Sequence, residues 1–363
     1  MRKHSRAFVH LFTHAMIALA LAACDQKPLI SPAQLVESLT KHVYVPLAQD
    51  ALVKSQELAA ASNALCDTPS PEALTVAKKA WIALRTPWKQ AEVMSFGPHR
   101  LFPWRTESRV DFWPAREEEI LSVLEGDQDL SAMSAADTLG AASVGMPVVE
   151  YLLFGDENTL SALKTQERRC DYLLVATRGI EIELQRFVDA WTGDYQHELL
   201  HPEQGDQYKD MHEVFSEVVN NLTFTVELVR EKKLGAPLGM DANNPDPTLA
   251  ESRFSGRSLQ EALLVLKGAH DVMTGCYHDR CGLGLRDMLR ERRSSLVDTY
   301  EELYADARDA IKDIPPPLTD AITTHPKEVE LAVDAVRALA TFLQVEVTQA
   351  LNVTVTFGGT DGD

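Results

Sequence analysis

Apolar residues recur at spacings of three and four along most of the chain, and no stretch sustains the alternation typical of a strand. This periodicity predicts an all-α protein. The first helix is expected over residues 32 to about 63, with Ser31 as its N-cap and a bend at Pro46. A second helix is expected to begin at Ser70-Pro71-Glu72 and to kink at Pro87.

Further helices follow, with three irregular stretches between them. Residues 96–114 hold three prolines and two tryptophans, a composition that favours a packed and functional loop. The polar residues 192–207 are the expected linker, and Gly, Pro and Asn cluster again at 235–255. Ser258-Leu259-Gln260-Glu261 matches a capping box at the start of a helix. The predicted helices after residue 114 are 115–124, 135–153, 160–191, 208–234, 258–273, 283–311 and 327–352.

The length of the chain predicts two domains. Without its first 23 residues the chain has 340, which is too many for one hydrophobic core. We expect two helical bundles of about four helices each, an N-terminal bundle at 32–204 and a C-terminal bundle at 205–357. An acidic tail at 358–363 follows, whose Asp361-Gly362-Asp363 is either a cation ligand or a frayed end.

The first residues have the pattern of an export signal. Three basic residues precede an apolar stretch that ends in Leu21-Ala22-Ala23-Cys24, which matches a bacterial lipobox. Residues 1–23 are therefore expected to be a lipoprotein signal peptide, Cys24 the lipidated residue and 24–31 the tether to a bilayer surface. An ordinary secretory signal is the alternative. No second segment reaches the roughly 20 apolar residues of a membrane span.

The charge of the chain excludes one class of partner. The formal net charge is −19, and it becomes −22 when the three basic residues of the signal are removed. So acidic a chain argues against nucleic acid as a partner and suits a cationic ligand.

Four cysteines remain after the signal, an even number that is typical of two disulfides in an exported protein. Cys276 and Cys281 are five positions apart and are expected to close a small loop, which leaves Cys66 to pair with Cys170. A metal-thiolate site is the alternative, although the spacing fits no common zinc pattern.

His197-Glu198-Leu199-Leu200-His201 matches the HExxH pattern of zinc peptidases, in which two histidines on one helix face bind zinc and a glutamate acts as general base. Pro202 and Gly193 bracket the motif within the polar linker. A zinc-binding helix has to be long and supported by neighbouring residues, so we interpret this match as a chance one.

A second cluster has stronger helical geometry. Trp81, Arg85, Trp88 and Glu92 are spaced four, three and four apart and share one helix face. The next loop adds polar and aromatic side chains, Arg109, Asp111, Phe112 and Trp113. Together they predict an aromatic wall with Arg and carboxylate groups, and the structural alternative is an Arg–carboxylate pair that braces the helix against the loop.

Other candidates are single charges or pairs. Glu150 is the one charge in the apolar stretch 143–155, and Pro147 as a first helical residue would place it in the first turn, where the helix dipole favours a carboxylate. His270-Asp271 and His278-Asp279 could bind metal, and exposed loop positions are the simpler interpretation.

Several motifs, in order, resemble the imelysin family over nearly the whole mature chain. They are Trp81-x-x-x-Arg85-x-Pro87-Trp88-x-x-x-Glu92, Phe96-Gly97-Pro98, Asp111-Phe112-Trp113-Pro114, Gly145-Met146-Pro147-Val148-Val149-Glu150-Tyr151-Leu152-Leu153-Phe154-Gly155, Lys233-Leu234-Gly235-x-Pro237-Leu238, Glu251-Ser252-x-Phe254-Ser255-Gly256-x-Ser258 and the end at 357–363. The resemblance implies two helical bundles and a periplasmic or surface-anchored protein. Some members of the family are called metallopeptidases and others are linked to iron acquisition.

The family's hallmark is Gly-x-His-x-x-Glu, whose His and Glu share a helix face and could hold a metal ion. Here Pro147 stands at the His position and has no donor atom, while Glu150 is kept. Metal binding would then need replacements such as Glu92, Asp111 or His99.

The sequence therefore predicts a lipid-anchored, periplasm-facing and non-catalytic binding protein connected with iron or another divalent metal ion. Carboxylates would hold the metal or a cationic group, and partners would be the membrane and iron-uptake or redox membrane proteins. A metallopeptidase is the main alternative, and a scaffold in a membrane-bound redox or uptake assembly is the second. The expected ligand residues are Arg85, Glu92, Asp111, Trp113, Glu150, Ser255 and Ser258.

Overall fold

The computed structural model describes residues 29–130, 135–155, 159–240, 242 and 244–355. Cys24 and the rest of the predicted signal and tether up to residue 28 lie outside these residues, as does the predicted tail at 358–363. Helices account for nearly all regular structure in the described residues, which confirms the all-α class. None of the helices in this part of the chain is both long enough and apolar enough to cross a membrane.

The helices follow the predicted order, and most predicted boundaries lie within a few residues of the observed ones. The first nine are α1 (Pro32–Leu39), α2 (Val45–Asp67), α3 (Pro71–Gln90), α4 (Thr106–Val110), α5 (Glu117–Glu125), α6 (Ala135–Thr138), α7 (Met146–Phe154), α8 (Thr159–Thr165) and α9 (Glu167–Thr192). The next nine are α10 (Asp194–Leu200), α11 (Met211–Leu228), α12 (Ala236–Leu238), α13 (Ser258–Thr274), α14 (Leu285–Arg293), α15 (Ser295–Lys312), α16 (Leu318–Thr324), α17 (Pro326–Phe342) and α18 (Thr348–Leu351).

Three π-helical segments connect successive helices in the described residues. They are Thr40–Tyr44 between α1 and α2, Val229–Gly235 between α11 and α12, and Leu343–Val347 between α17 and α18. The periodicity predicts α1 with α2 and α17 with α18 as continuous, whereas α12 lies in the stretch 235–255 that was expected to be irregular. The first segment ends two residues before Pro46, which lies in the first turn of α2. The second carries Lys233 into the centre of the molecule.

Some local predictions are wrong. The expected linker at 192–207 contains the short helix α10, because Tyr195 and Leu199 are buried apolar anchors within it. The expected helix at 135–153 is broken before α7, where Gly145 has a φ of 82° and a Cβ would lie 2.5 Å from the Val110 carbonyl oxygen. The capping box is absent, since Arg257 is the N-cap of α13 and makes no side-chain bond to the helix.

Both predicted disulfides are confirmed. Cys66 at the end of α2 is bonded to Cys170 in α9, with their Cα atoms 5.6 Å apart. Cys276 is bonded to Cys281 across the two-residue strands β1 (Cys276–Tyr277) and β2 (Arg280–Cys281).

The buried apolar side chains form one continuous cluster with members from both predicted bundles. The core therefore does not mark the boundary predicted between residues 204 and 205, and that division stays a prediction. The N-terminal end is fixed on the C-terminal part of the chain, because the Ile30 amide donates to Glu291 Oε2 at 2.7 Å. In the same way α3 packs directly on α13, and these two helices place the charged residues described next.

Candidate functional site

Arg85 is the centre of a buried group of charges. Arg85 lies on α3, and only 1% of its side chain is exposed. Nε donates to Glu261 Oε1 at 2.8 Å and Nη2 donates to Glu261 Oε2, so the pair is bidentate. Nη1 donates to Asp111 Oδ1 at 2.6 Å. Arg85 therefore connects α3 to both the following loop and α13. The Arg–carboxylate pair between helix and loop, given above as the structural alternative, is present as the contact of Arg85 with Asp111.

Lys89, one turn further along α3, lies among three carboxylates. Its Nζ is 2.5 Å from Glu92 Oε1 and 2.6 Å from Asp111 Oδ2, and it also contacts Glu251 Oε1. A second lysine, Lys233 of the π-helical segment, reaches Glu92 Oε1 at 3.0 Å and Glu251 Oε2 at 2.7 Å. Both lysines are nearly inaccessible, with 3% and 4% of their side chains exposed.

These seven side chains form one network of four carboxylates and three cations. Burial raises the pKa of the Asp111 carboxyl, but the positive charges of Arg85 and Lys89 outweigh it and hold that pKa below its ordinary value. Burial acts to raise the pKa of the Glu251 carboxyl as well. The positive charges of Lys233, Lys89 and Arg85 outweigh this effect, so the pKa of Glu251 is well below its ordinary value. The members, which we call the charge network, are Arg85, Lys89, Glu92, Asp111, Lys233, Glu251 and Glu261.

Three carboxylates of the charge network have the arrangement of a possible metal site. Glu92, Asp111 and Glu251 each place one oxygen within 4.8 Å of the others. Lys89 Nζ contacts an oxygen of all three, so an ammonium already lies where a metal ion would lie. The residues as arranged therefore do not fit a metal ion between these carboxylates.

Glu150 lies beside the charge network but has a different environment. It is 2% exposed, and its Oε1 accepts the Ser255 amide at 2.8 Å. Burial among apolar neighbours, with the Glu261 charge nearby, raises its pKa to about 7, although Ser255 and Arg85 act in the opposite direction. With Arg85 and Pro147 it lines a space of about 10 Å³, which is enough for one water molecule.

A larger cavity of about 200 Å³ is lined by Lys89 together with Glu92 and Asp111. Its wall includes Trp88 and His99, whose rings are stacked with centroids 5.1 Å apart. Three buried polar atoms of lining residues have no hydrogen-bond partner in the described structure, namely Glu92 Oε2, His99 Nε2 and Trp113 Nε1. Buried polar atoms without partners are rare, so these three point to a ligand or ordered water in the cavity.

The structure thus brings together most of the residues expected from the sequence. Arg85, Glu92, Asp111, Trp113 and Glu150 line the two adjoining cavities. Ser255 approaches through its amide, and its hydroxyl donates to the Ser252 carbonyl instead. Ser258 does not reach the cavities through its hydroxyl, which donates to the Glu251 carbonyl at 2.5 Å and so holds that loop.

Sequence reasoning missed Lys89, Lys233 and Glu251 as members of the site. Lys89 had a usable signal, because it lies four residues after Arg85 and three before Glu92 on the same helix face. Lys233 and Glu251 lie in motifs of the family resemblance, but neither spacing nor periodicity relates them to α3.

The other candidate sites do not assemble among the described residues. His197 lies on α10 and His201 directly after it, and the centroids of their rings are 4.9 Å apart. No carboxylate, histidine or cysteine in the described part of the chain completes a group of three possible metal ligands with them. His270 is stacked on Tyr304, with ring centroids 4.1 Å apart, and burial lowers its pKa to about 4. Asp271 is 1% exposed and pairs with Lys267, so it is not the exposed loop residue that was expected.

Comparisons with known proteins agree with this architecture. The sequence model of the family described as imelysin matches residues 44–345. A crystal structure from Parabacteroides distasonis ATCC 8503, described as a candidate iron-regulated protein A precursor, superposes with a TM-score of 0.77 at 19% identity and covers 90% of this chain and 97% of that one. An imelysin-like protein from Psychrobacter arcticum 273-4 gives 0.73 at 16% identity, with 90% and 98% covered. No curated protein matches the sequence.

Proposed function

The chain belongs to the imelysin family, and from that premise we propose that it is a non-catalytic binding protein that serves the acquisition of iron or another metal. The proposal includes a lipid anchor at Cys24 and a position facing the periplasm, next to iron-uptake or redox membrane proteins. The observation that carries it is the Lys89 ammonium among the carboxylates of Glu92, Asp111 and Glu251. The resemblance adds Pro147, which would stand at the family's His position.

The residues of the site argue against a hydrolytic reaction. A metallopeptidase needs an open metal position at which water is activated, together with a general base. Pro147 offers no donor atom, and the Lys89 ammonium already contacts the carboxylates that could replace the histidine. Burial raises the pKa of Glu150 to about 7, and no histidine among the described residues lines the space next to it.

The larger cavity is the proposed binding site. Glu92 Oε2 can accept a hydrogen bond and Trp113 Nε1 can donate one, so a ligand with both hydroxyl and carboxylate groups satisfies both atoms. Because the carboxylates do not fit a bare ion, we propose that the metal arrives as a small oxygen-rich chelate. One structural neighbour is described as a candidate iron-regulated protein, which supports iron as the metal.

Calorimetry with ferric citrate as the probe tests this site, with citrate alone as a second arm. We expect saturable binding of ferric citrate with one site per chain, lost in Trp113→Phe, which removes the indole N–H and the five-membered ring that carries it. Trp104→Phe is the matched control because Trp104 lies outside this cavity. Absence of ferric citrate binding, or equal binding by both variants, would contradict the proposed site.

The peptidase alternative is tested separately through the HExxH match. The two imidazole rings lie with their centroids 4.9 Å apart, which is the one observation that favours this function. We expect no zinc-dependent cleavage of unstructured peptides by the purified protein. Cleavage that Glu198→Gln abolishes would show that the chain is a peptidase.

A further inference from the structure

Lys89 differs from the other buried cations in the number of carboxylates it contacts. Its Nζ contacts one oxygen each of Glu92, Asp111 and Glu251, whereas Lys233 contacts only the first and the last of these. An ammonium has three N–H donors, so each can be directed at one carboxylate oxygen. The coordination of Lys89 is therefore complete without water.

The three oxygens are spaced as ligands of a small hard cation would be. They lie within 4.8 Å of one another, and pairs of carboxylate oxygens on Mg²⁺, Mn²⁺ or Ca²⁺ are separated by comparable distances because each lies roughly 2.0–2.6 Å from the ion. The Lys89 contacts of 2.5 and 2.6 Å are of the same length. One ammonium and one metal ion cannot share this centre.

The formal charges are consistent with a divalent metal ion in the place of the Lys89 ammonium. Without Lys89 the charge network would hold four carboxylates against Arg85 and Lys233, a deficit of two positive charges. A divalent cation carries that charge. Burial makes such a deficit costly, because removing one partner of a buried ion pair destabilises a protein by about 3–5 kcal/mol.

We propose that the Lys89 ammonium is a resident counter-ion that takes the place of a divalent metal ion between Glu92, Asp111 and Glu251. The wild-type centre is closed to metal ions and stays assembled without one. Replacing Lys89 by a small neutral residue removes the ammonium and leaves room at the same oxygens, so it converts the centre into a divalent cation site. This inference does not depend on any ligand in the larger cavity, and failure of the ferric citrate experiment would leave it unaffected.

Manganese binding to the purified full-length protein in detergent tests the proposal, since Mn²⁺ is a hard cation visible by electron paramagnetic resonance. We expect Lys89→Ala to bind one Mn²⁺ per chain at least about tenfold more tightly than the wild type, a difference of roughly 1.4 kcal/mol. We also expect Mn²⁺ to raise its melting temperature while leaving that of the wild type unchanged.

Two further variants locate the bound ion. Lys233→Ala also removes a buried lysine from the charge network but leaves Lys89 in the centre, so it should bind no Mn²⁺ there. Adding Glu251→Gln to Lys89→Ala removes one carboxylate charge, and the gained Mn²⁺ site should be lost.

Three results would overturn the proposal. The first is stoichiometric Mn²⁺ binding by the wild type that Glu92→Gln abolishes, a measurement that requires no lysine variant. The second is equal Mn²⁺ binding by Lys89→Ala and Lys233→Ala. The third is a Lys89→Ala protein that remains unfolded both with and without Mn²⁺, because the ion should then replace the lost ammonium.

Discussion

Arg85 and Glu261 are 176 residues apart in sequence and face each other as a bidentate ion pair, with Nε 2.8 Å from Oε1. Their side chains are 1% and 0% exposed. The pair joins α3 to α13, and Asp111 connects the same guanidinium to the intervening loop. The site is therefore built across distant parts of the chain by charges rather than by a single local motif.

We expect Arg85→Met to lower the free energy of unfolding by about 3–5 kcal/mol, because it leaves Glu261 and Asp111 buried without their main cation. Chemical denaturation at pH 7 measures the change. Arg178→Met is the control, since Arg178 forms an i,i+3 pair with Glu181 and 47% of its side chain is exposed. The control should change stability by about 1 kcal/mol or less, and equal effects would show that the buried pair contributes little.

We expect Glu150→Gln to stabilise the protein at pH 8 and to change it little at pH 4.5. The folded pKa of about 7 lies above the ordinary value of 4.5, so the folded state retains a proton that the unfolded state has lost. The wild type therefore loses stability as the pH rises from 4.5 to 7, by on the order of 3 kcal/mol, and the loss is complete above pH 7. Glutamine keeps the Oε1 that accepts the Ser255 amide.

Melting temperatures between pH 4.5 and 8 measure this difference. Glu118→Gln is the control, because Glu118 is an exposed carboxyl on α5. A constant difference between Glu150→Gln and wild type across the whole range would contradict a raised pKa at Glu150.

We expect Gly268→Ala to destabilise the protein by about 1–3 kcal/mol, even though alanine is the better helix former. A Cβ on Gly268 in α13 would lie 2.1 Å from the backbone carbonyl oxygen of Gln90, at the end of α3. Gly140→Ala is the control, since a Cβ there meets nothing within 4 Å. If thermal melting shows the two variants to be equally stable, α13 does not need this close approach to α3.

The two disulfides should contribute unequally to stability. Cys66 and Cys170 are separated by 104 positions and Cys276 and Cys281 by 5, so the first closes a far larger loop in the unfolded chain. The loop-entropy relation gives about 5 kcal/mol for the first and about 2 kcal/mol for the second. Replacing each pair by alanine and measuring urea unfolding checks the order, and a larger loss from the small loop would contradict it.

The helical class and the cysteine pairs were predictable because both depend on local signals. Apolar residues spaced three and four apart identify helices, and four cysteines allow only three sets of two disulfides. The errors fall where tertiary contacts override local signals. Tyr195 and Leu199 are buried and form a helix in a stretch that is polar overall, and Glu261 leaves its expected cap to bind Arg85.

The site was predictable where its residues lie in short local patterns. Arg85 and Glu92 followed from their spacing along α3 and the turn after it, Asp111 and Trp113 from the loop that follows, and Glu150 from its place as the one charge in an apolar stretch. Lys89 lies on the same face but was missed, because a lysine on a helix is usually exposed. Glu251 and Lys233 come from distant segments and reach Lys89 or its carboxylates only in the folded chain, so no spacing in the sequence reveals them.

The hydrogen bond from Ile30 to Glu291 limits how far the folded part can move from an anchor at Cys24. Ile30 is six positions after Cys24, and a fully extended chain of that length spans about 20 Å. A lipid on Cys24 would therefore keep Glu291 of α14 within about 20 Å of the bilayer surface. The last turn of that helix carries Arg290, Arg292 and Arg293, so an otherwise acidic protein would present a basic helix towards lipid headgroups.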